Sequence, residues 1–177
     1  AFIDLAHKEL EQFDEKPSMP MVNSAISHLR HVLNVDPVAA DLIAAPLAGA
    51  YHRRGKLFHT AGNFTSAIDD FQEAMMSDPR VKEMVAADIA FAFFQRGMLK
   101  KGEAAIADFT EALGFNSALD IAYVQRGQVH LELTSFSAAI DDFGRAIEIH
   151  QENLEILKDD YARAYRLRGE QHFTNNQ

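Results

Sequence analysis

Cysteine is absent from this sequence, which removes disulfides, thiolate metal sites and cysteine nucleophiles together. The compartment stays open, because a chain without cysteine fits a reducing cytosol and a disulfide-free secreted protein alike. No apolar run approaches the roughly 20 residues of a membrane-spanning helix, so direct membrane insertion is not expected. The opening residues lack a basic start followed by an apolar core, and the first residue is Ala rather than Met, which fits a processed or trimmed form. Positive charge is scarce: 17 Lys and Arg stand against 26 Asp and Glu, a net charge of −9 at neutral pH. That balance repels a phosphate backbone, so nucleic acid is not an expected partner. The short basic clusters (Arg53, Arg54, Lys56; Lys100, Lys101) read as solvated helix faces.

Catalytic signatures are missing as well. There is no Gly-rich phosphate loop, no Gly-x-Ser-x-Gly and no His-Glu-x-x-His. His28 and His31, and His52 and His59, come nearest to metal-ligand spacing, but no third ligand completes either pair at helical spacing. Asp69-Asp70 and Asp141-Asp142 recur at equivalent positions, as structure does and a single active site does not. No catalytic residue, metal or cofactor is assigned, and an enzyme is not expected.

What the sequence does have is repetition. Ala50-Tyr51-His52-Arg53-Arg54-Gly55 returns as Ala92-Phe93-Phe94-Gln95-Arg96-Gly97, as Ala122-Tyr123-Val124-Gln125-Arg126-Gly127, and as Ala164-Tyr165-Arg166-Leu167-Arg168-Gly169. A second string follows the first three copies: Ala67-Ile68-Asp69-Asp70-Phe71, Ala105-Ile106-Ala107-Asp108-Phe109 and Ala139-Ile140-Asp141-Asp142-Phe143. Each Phe is followed three residues later by Ala74, Ala112 or Ala146, which places Ala, Phe and Ala on one stripe of a helix. Turn residues such as Gly62-Asn63 and Gly102 lie between the two strings. Each unit therefore reads as helix, tight turn, helix. A Gly inside a helix costs about 1 kcal/mol relative to Ala, a cost tolerated where two helices approach closely. The Ala opening each second string is the expected site of that approach, with the aromatics filling the space between successive pairs.

These strings resemble the tetratricopeptide repeat, a helical hairpin of roughly 34 residues. Gly55, Phe58, Ala67, Phe71, Ala74 and Pro79 match its motif in order, as do Tyr123, Gly127, Ala139, Phe143 and Ala146. The resemblance implies an all-α fold: a right-handed superhelical array of antiparallel hairpins, with some elongated helices. One domain over 1–177 is expected, with a flanking helix at 2–15 and units at about 21–35, 46–79, 80–115 and 118–151. A terminal helix at about 154–173 either caps the array or continues into a longer one. At least nine helices and no sheet should result. The repeated Gly residues are 42, 30 and 42 positions apart (55 to 97, 97 to 127, 127 to 169), so two intervals are long. The apolar stripe Val81, Val85, Ile89, Phe93 absorbs one of them and predicts a single helix over 80–101. Pro46 is expected to split the other into a short helix at 38–45 and a fresh start.

The resemblance also implies a concave groove, lined by first helices, that receives a peptide or helix of another protein. Its positions fall on His52, Lys56, His59, Phe91, Phe94, Met98, Ile121, Val124, Gln128, Leu131, Arg163 and Arg166. That list is apolar in the middle and basic at the ends, which suits an amphipathic helix with acidic ends. Some family members clamp a C-terminal carboxylate with Lys and Asn on successive first helices, and this chain does not reproduce that set. The function expected is a protein-binding scaffold or adaptor; the alternative is a structural subunit or a self-associating homo-oligomer. Finally, antiparallel hairpins bring Arg54 level with Asp70, Arg96 with Asp108 and Arg126 with Asp142, so an Arg–Asp bridge is expected in every unit.

Overall fold

A computed structural model describes residues 1–175 of the chain. Among them are nine α-helices, two 3-10 turns and no strand. The helices are α1 (Phe2–Glu15), α2 (Met19–Val35), α3 (Ala40–Thr60), α4 (Phe64–Ser77) and α5 (Lys82–Met98). Then follow α6 (Glu103–Phe115), α7 (Asp120–Glu132), α8 (Phe136–Ile149) and α9 (Asn153–Asn175). The fold is all-α and built from helix hairpins.

The chain divides into two compact units, Ala1–Ala92 and Phe93–Gln177. In the first, α1 packs on α2, α2 on α3 and α3 on α4. In the second, α6 packs on α7, α7 on α8 and α8 on α9. Each hairpin is closed by its repeated Phe: Phe71, Phe109 and Phe143 are among the largest fully buried side chains. Their helices are amphipathic because Ala, Phe and Ala recur along one stripe, which alone meets the partner helix.

Sharp turns join the two helices of each hairpin. Gly62 and Gly102 hold φ at 76° and 56°, a region open to glycine. Thr134 takes the same conformation, φ 58°, in the turn between α7 and α8, a strained place for a β-branched residue. The Asp-Pro steps act differently. Asp36 and Asp78 each accept the backbone N–H two residues on, from Val38 and Arg80, and the following Pro opens a 3-10 turn that leads into the next helix.

Two expectations about the long intervals are corrected. Pro46 does not end a helix: α3 runs unbroken from Ala40 to Thr60 with Pro46 inside it. Ile43, Leu47 and Ala48 are buried around the proline and hold the helix, while Leu42, whose carbonyl loses its amide partner, lies at the exposed surface where water can serve. The helix expected over 80–101 is shorter. Pro79–Val81 forms a 3-10 turn, α5 covers Lys82–Met98, and Leu99–Gly102 turns toward α6. Its 17 residues span about 25 Å.

Candidate partner-binding faces and the repeated Arg–Asp bridge

The three repeated arginines meet the three repeated aspartates in one geometry. Arg54 donates from Nε to Asp70 Oδ2 at 2.8 Å and from Nη2 to Oδ1 at 2.7 Å. Arg96 reaches Asp108 at 2.9 and 2.8 Å, and Arg126 reaches Asp142 at 2.9 and 2.7 Å. Each guanidinium also lies over the aromatic three residues before it: Tyr51 at 5.4 Å, Phe93 at 5.1 Å and Tyr123 at 5.5 Å. The carboxylates are almost fully buried. A buried charge is tolerated when a planar fork satisfies both oxygens, which is what each Arg supplies.

The position four residues after each Arg adds variety. Lys100 places Nζ 2.8 Å from Asp108 Oδ2, whereas His130 Nε2 stands 3.8 Å from Asp142 Oδ2 and Phe58 lies beside Arg54. Burial pushes the Asp108 carboxyl up, but hydrogen bonds and charge from Arg96 and Lys100 outweigh it and leave it below the ordinary aspartate value.

The repeated glycines serve an approach different from the one expected. A Cβ on Gly55, Gly97 or Gly127 would come within 2.6, 2.8 or 2.7 Å of the ring of Phe71, Phe109 or Phe143. The ring edge of the Phe comes nearest in all three; the first Ala of the second string shares the approach only in the first hairpin, where the Ala67 carbonyl would lie 3.3 Å from a Cβ on Gly55.

In the first unit, the expected binding residues His52, Lys56, His59 and Phe91 come together. His59 sits between Phe64 and Phe91, with ring centroids 5.3 and 5.5 Å away. His52 Nε2 is 2.6 Å from Asp88 Oδ2. Lys56, His59, Thr60, Phe71, Asp88 and Phe91 line a cavity of about 80 Å³. Asp88 was missed by sequence reasoning, although it lies three residues before Phe91 and so on its face of the helix.

In the second unit the expected residues separate. Gln128, Leu131 and Arg163 line a cavity of about 220 Å³ with Glu132 and Asp160. Met98 and Ile121 are 47% and 45% exposed, Val124 is half-buried, and Arg166 is exposed and paired with Glu170 at 2.6 Å. Phe94 belongs to the core instead: it is 5% exposed, with its ring 5.9 Å from that of Phe109. Leu131 is also mostly core, packed with Phe136 and Phe143, and meets the cavity only at its edge. Asp160 and Glu132 went unread, though Asp160 is three residues before Arg163.

His28 and His31 serve α1 rather than a metal: His28 Nδ1 is 3.0 Å from Glu9 Oε2, and Phe2 packs on both rings. Among the described residues no three His, Cys, Asp or Glu gather to hold a metal ion, and no helix is long and apolar enough to cross a membrane.

Residues 48–80, the span of α3 and α4 that contains the Arg54–Asp70 bridge and the Gly55–Phe71 contact, match the family model described as the tetratricopeptide repeat. The chain is therefore a helical-hairpin protein carrying a tetratricopeptide repeat, and the same bridge and the same Gly–Phe contact return twice in its second unit. No curated protein matches it significantly. Solved structures similar to it include the first tetratricopeptide domain of Spaghetti (RPAP3) bound to the HSP90 peptide SRMEEVD. That structure is 24% identical over 69% of this chain and 93% of its own, with a TM-score of 0.45. The first such domain of human RPAP3 is 22% identical over 71% and 94%, with a TM-score of 0.42. A MamA crystal structure is 19% identical over 92% and 95%, with a TM-score of 0.43.

Proposed function

We propose that this protein is a scaffold or adaptor that holds a peptide or amphipathic helix of another protein against its first helices, with no catalytic step of its own. The observation that carries this reading is the exposure of Met98 and Ile121 in the second unit, where Val124 is half-buried and Gln128 and Arg163 line a cavity. Apolar side chains at such positions, rimmed by polar ones, are what a helix-binding face requires. The cavity of the second unit is mixed in charge: Arg163 suits an acidic group on the ligand, whereas Glu132 and Asp160 suit basic groups beside it.

Ile121→Asp combined with Met98→Asp is the test. Both residues are surface-exposed, so helical content and melting temperature should hardly change. A quantitative affinity capture, read by mass spectrometry, should lose partners by about tenfold or more, since a charge placed in an apolar contact is costly. An unchanged set of captured proteins would overturn the reading. Phe94→Asp is unsuitable, because its burial against Phe109 would unfold the second unit.

A further inference from the structure

A cavity of about 440 Å³ in the first unit takes no part in the faces described above. It lies between α2, α3 and α4. Leu33 of α2, Ile43, Ala44 and Leu47 of α3, and Met76 of α4 make its apolar walls. The three α3 residues stand upstream of residues 48–80, so this wall is built by turns of α3 that precede the stretch matching the repeat model. Three polar side chains also line the cavity: Arg30, Tyr51 and Glu73. Arg30 Nη1 donates to the Tyr51 hydroxyl at 3.2 Å. Glu73 lies near enough for its charge to act on the same hydroxyl.

Each of the three has capacity to spare. Among the described residues, no carboxylate comes within ion-pair distance of Arg30 and no cation within that distance of Glu73. Tyr51 is only 2% exposed, and its hydroxyl accepts from Arg30 while its own proton meets no acceptor. Burial above all pushes that hydroxyl up, and Glu73 adds to the rise against the pull of Arg30. It therefore keeps its proton at neutral pH and is a donor. Two donors and one carboxylate thus border a cavity whose walls are aliphatic.

We propose that this cavity binds a free α-amino acid with a large apolar side chain. The ligand carboxylate accepts from the Arg30 guanidinium and the Tyr51 O–H, and its ammonium donates to Glu73. The side chain lies among Leu33, Ile43, Leu47 and Met76. Charge complementarity specifies the ligand, because an α-amino acid carries both charges on one carbon, as two unpaired opposite charges acting on one hydroxyl require. A fatty acid would set its carboxylate against Glu73 with no cation to offset it. An amine would leave Arg30 unmatched, and the end of a peptide chain brings one charge alone. The volume falls within the roughly 300–1,000 Å³ of small-ligand sites. The cavity shares no residue with the faces proposed above, so either can fail without the other.

The test is isothermal titration calorimetry on the whole protein with L-leucine, which should bind one to one. Glycine, which buries no side chain, should bind about tenfold more weakly or worse. N-acetyl-leucine lacks the ammonium and leucinamide lacks the carboxylate, and each should lose about tenfold or more. Arg30→Met should erase the preference for leucine over leucinamide. Glu73→Gln should erase the preference over N-acetyl-leucine, a change of selectivity that loss of the fold would not produce. No saturable binding of leucine, or equal binding by the wild type and Arg30→Met, overturns the site. N-acetyl-leucine binding as tightly as leucine would give the cavity to a peptide C-terminus and overturn the choice of ligand.

Discussion

The hairpin of α7 and α8 and the helix α9 share the motif Ala-Tyr-x-x-Arg-Gly, yet among the described residues one copy is closed and the other open. Gly127 lies under the Phe143 ring and Arg126 is locked on Asp142, whereas Gly169 faces empty space and Arg168 holds only its own Tyr165. One motif thus has two energetic meanings. In the closed copy the glycine is a packing requirement; in the open copy it is a weak point in a helix that nothing yet repays.

Removing the carboxylate should separate the copies most. Asp142→Ala strands the half-buried Arg126 and is expected to destabilise by about 3 kcal/mol, the low end for a broken buried pair. Arg168→Ala should stay within about 0.5 kcal/mol in urea denaturation, as an unpaired surface change does. A double-mutant cycle on Arg126→Ala and Asp142→Ala should show coupling above the roughly 0–1 kcal/mol of exposed pairs, and strictly additive losses would break the comparison.

Alanine at the two glycines should then give opposite signs. Gly127→Ala drives a Cβ to 2.7 Å from the Phe143 ring and should cost about 1–3 kcal/mol through overpacking. Gly169→Ala meets open space and should raise stability by somewhat under ~1 kcal/mol, the propensity difference alone. Thermal melts that moved both variants in one direction would mean that the ring contact does not govern the motif.

The smallest effect concerns the second cation. The Asp108 carboxyl is held below its ordinary value, so its bridge contributes stability above the unfolded-state value, about 4, and loses it as pH falls through the lower folded value. Lys100→Met removes one of the groups holding it down. The midpoint of acid unfolding, followed by circular dichroism, should rise by roughly a few tenths of a pH unit. An unmoved midpoint would show that Arg96 alone suffices.

Much of the fold was legible because it rests on periods and punctuation. The stripe Ala67, Phe71, Ala74 marks a helix face, and the match of Arg54 with Asp70 follows from running two such helices antiparallel. The binding faces were less legible. Phe94 and Val124 occupy corresponding places in their strings, yet one is core and the other half-exposed. A helix has several faces, and which of them meets a neighbour depends on the angle between helices, which the sequence period does not set. Pro46 was misread for a related reason: a proline ends a helix only when packing on either side does not hold it.

By itself the sequence determined the helices, their pairing into hairpins and the Arg, Asp, Gly and Phe that lock each pair, because those features repeat at spacings that local geometry fixes. Only the tertiary structure decided which face of each first helix is covered. Phe94 and Val124 share a place in the string, yet Phe94 packs on the Phe109 ring and Val124 stays half-buried, because the angle between packed helices is not set by the sequence period.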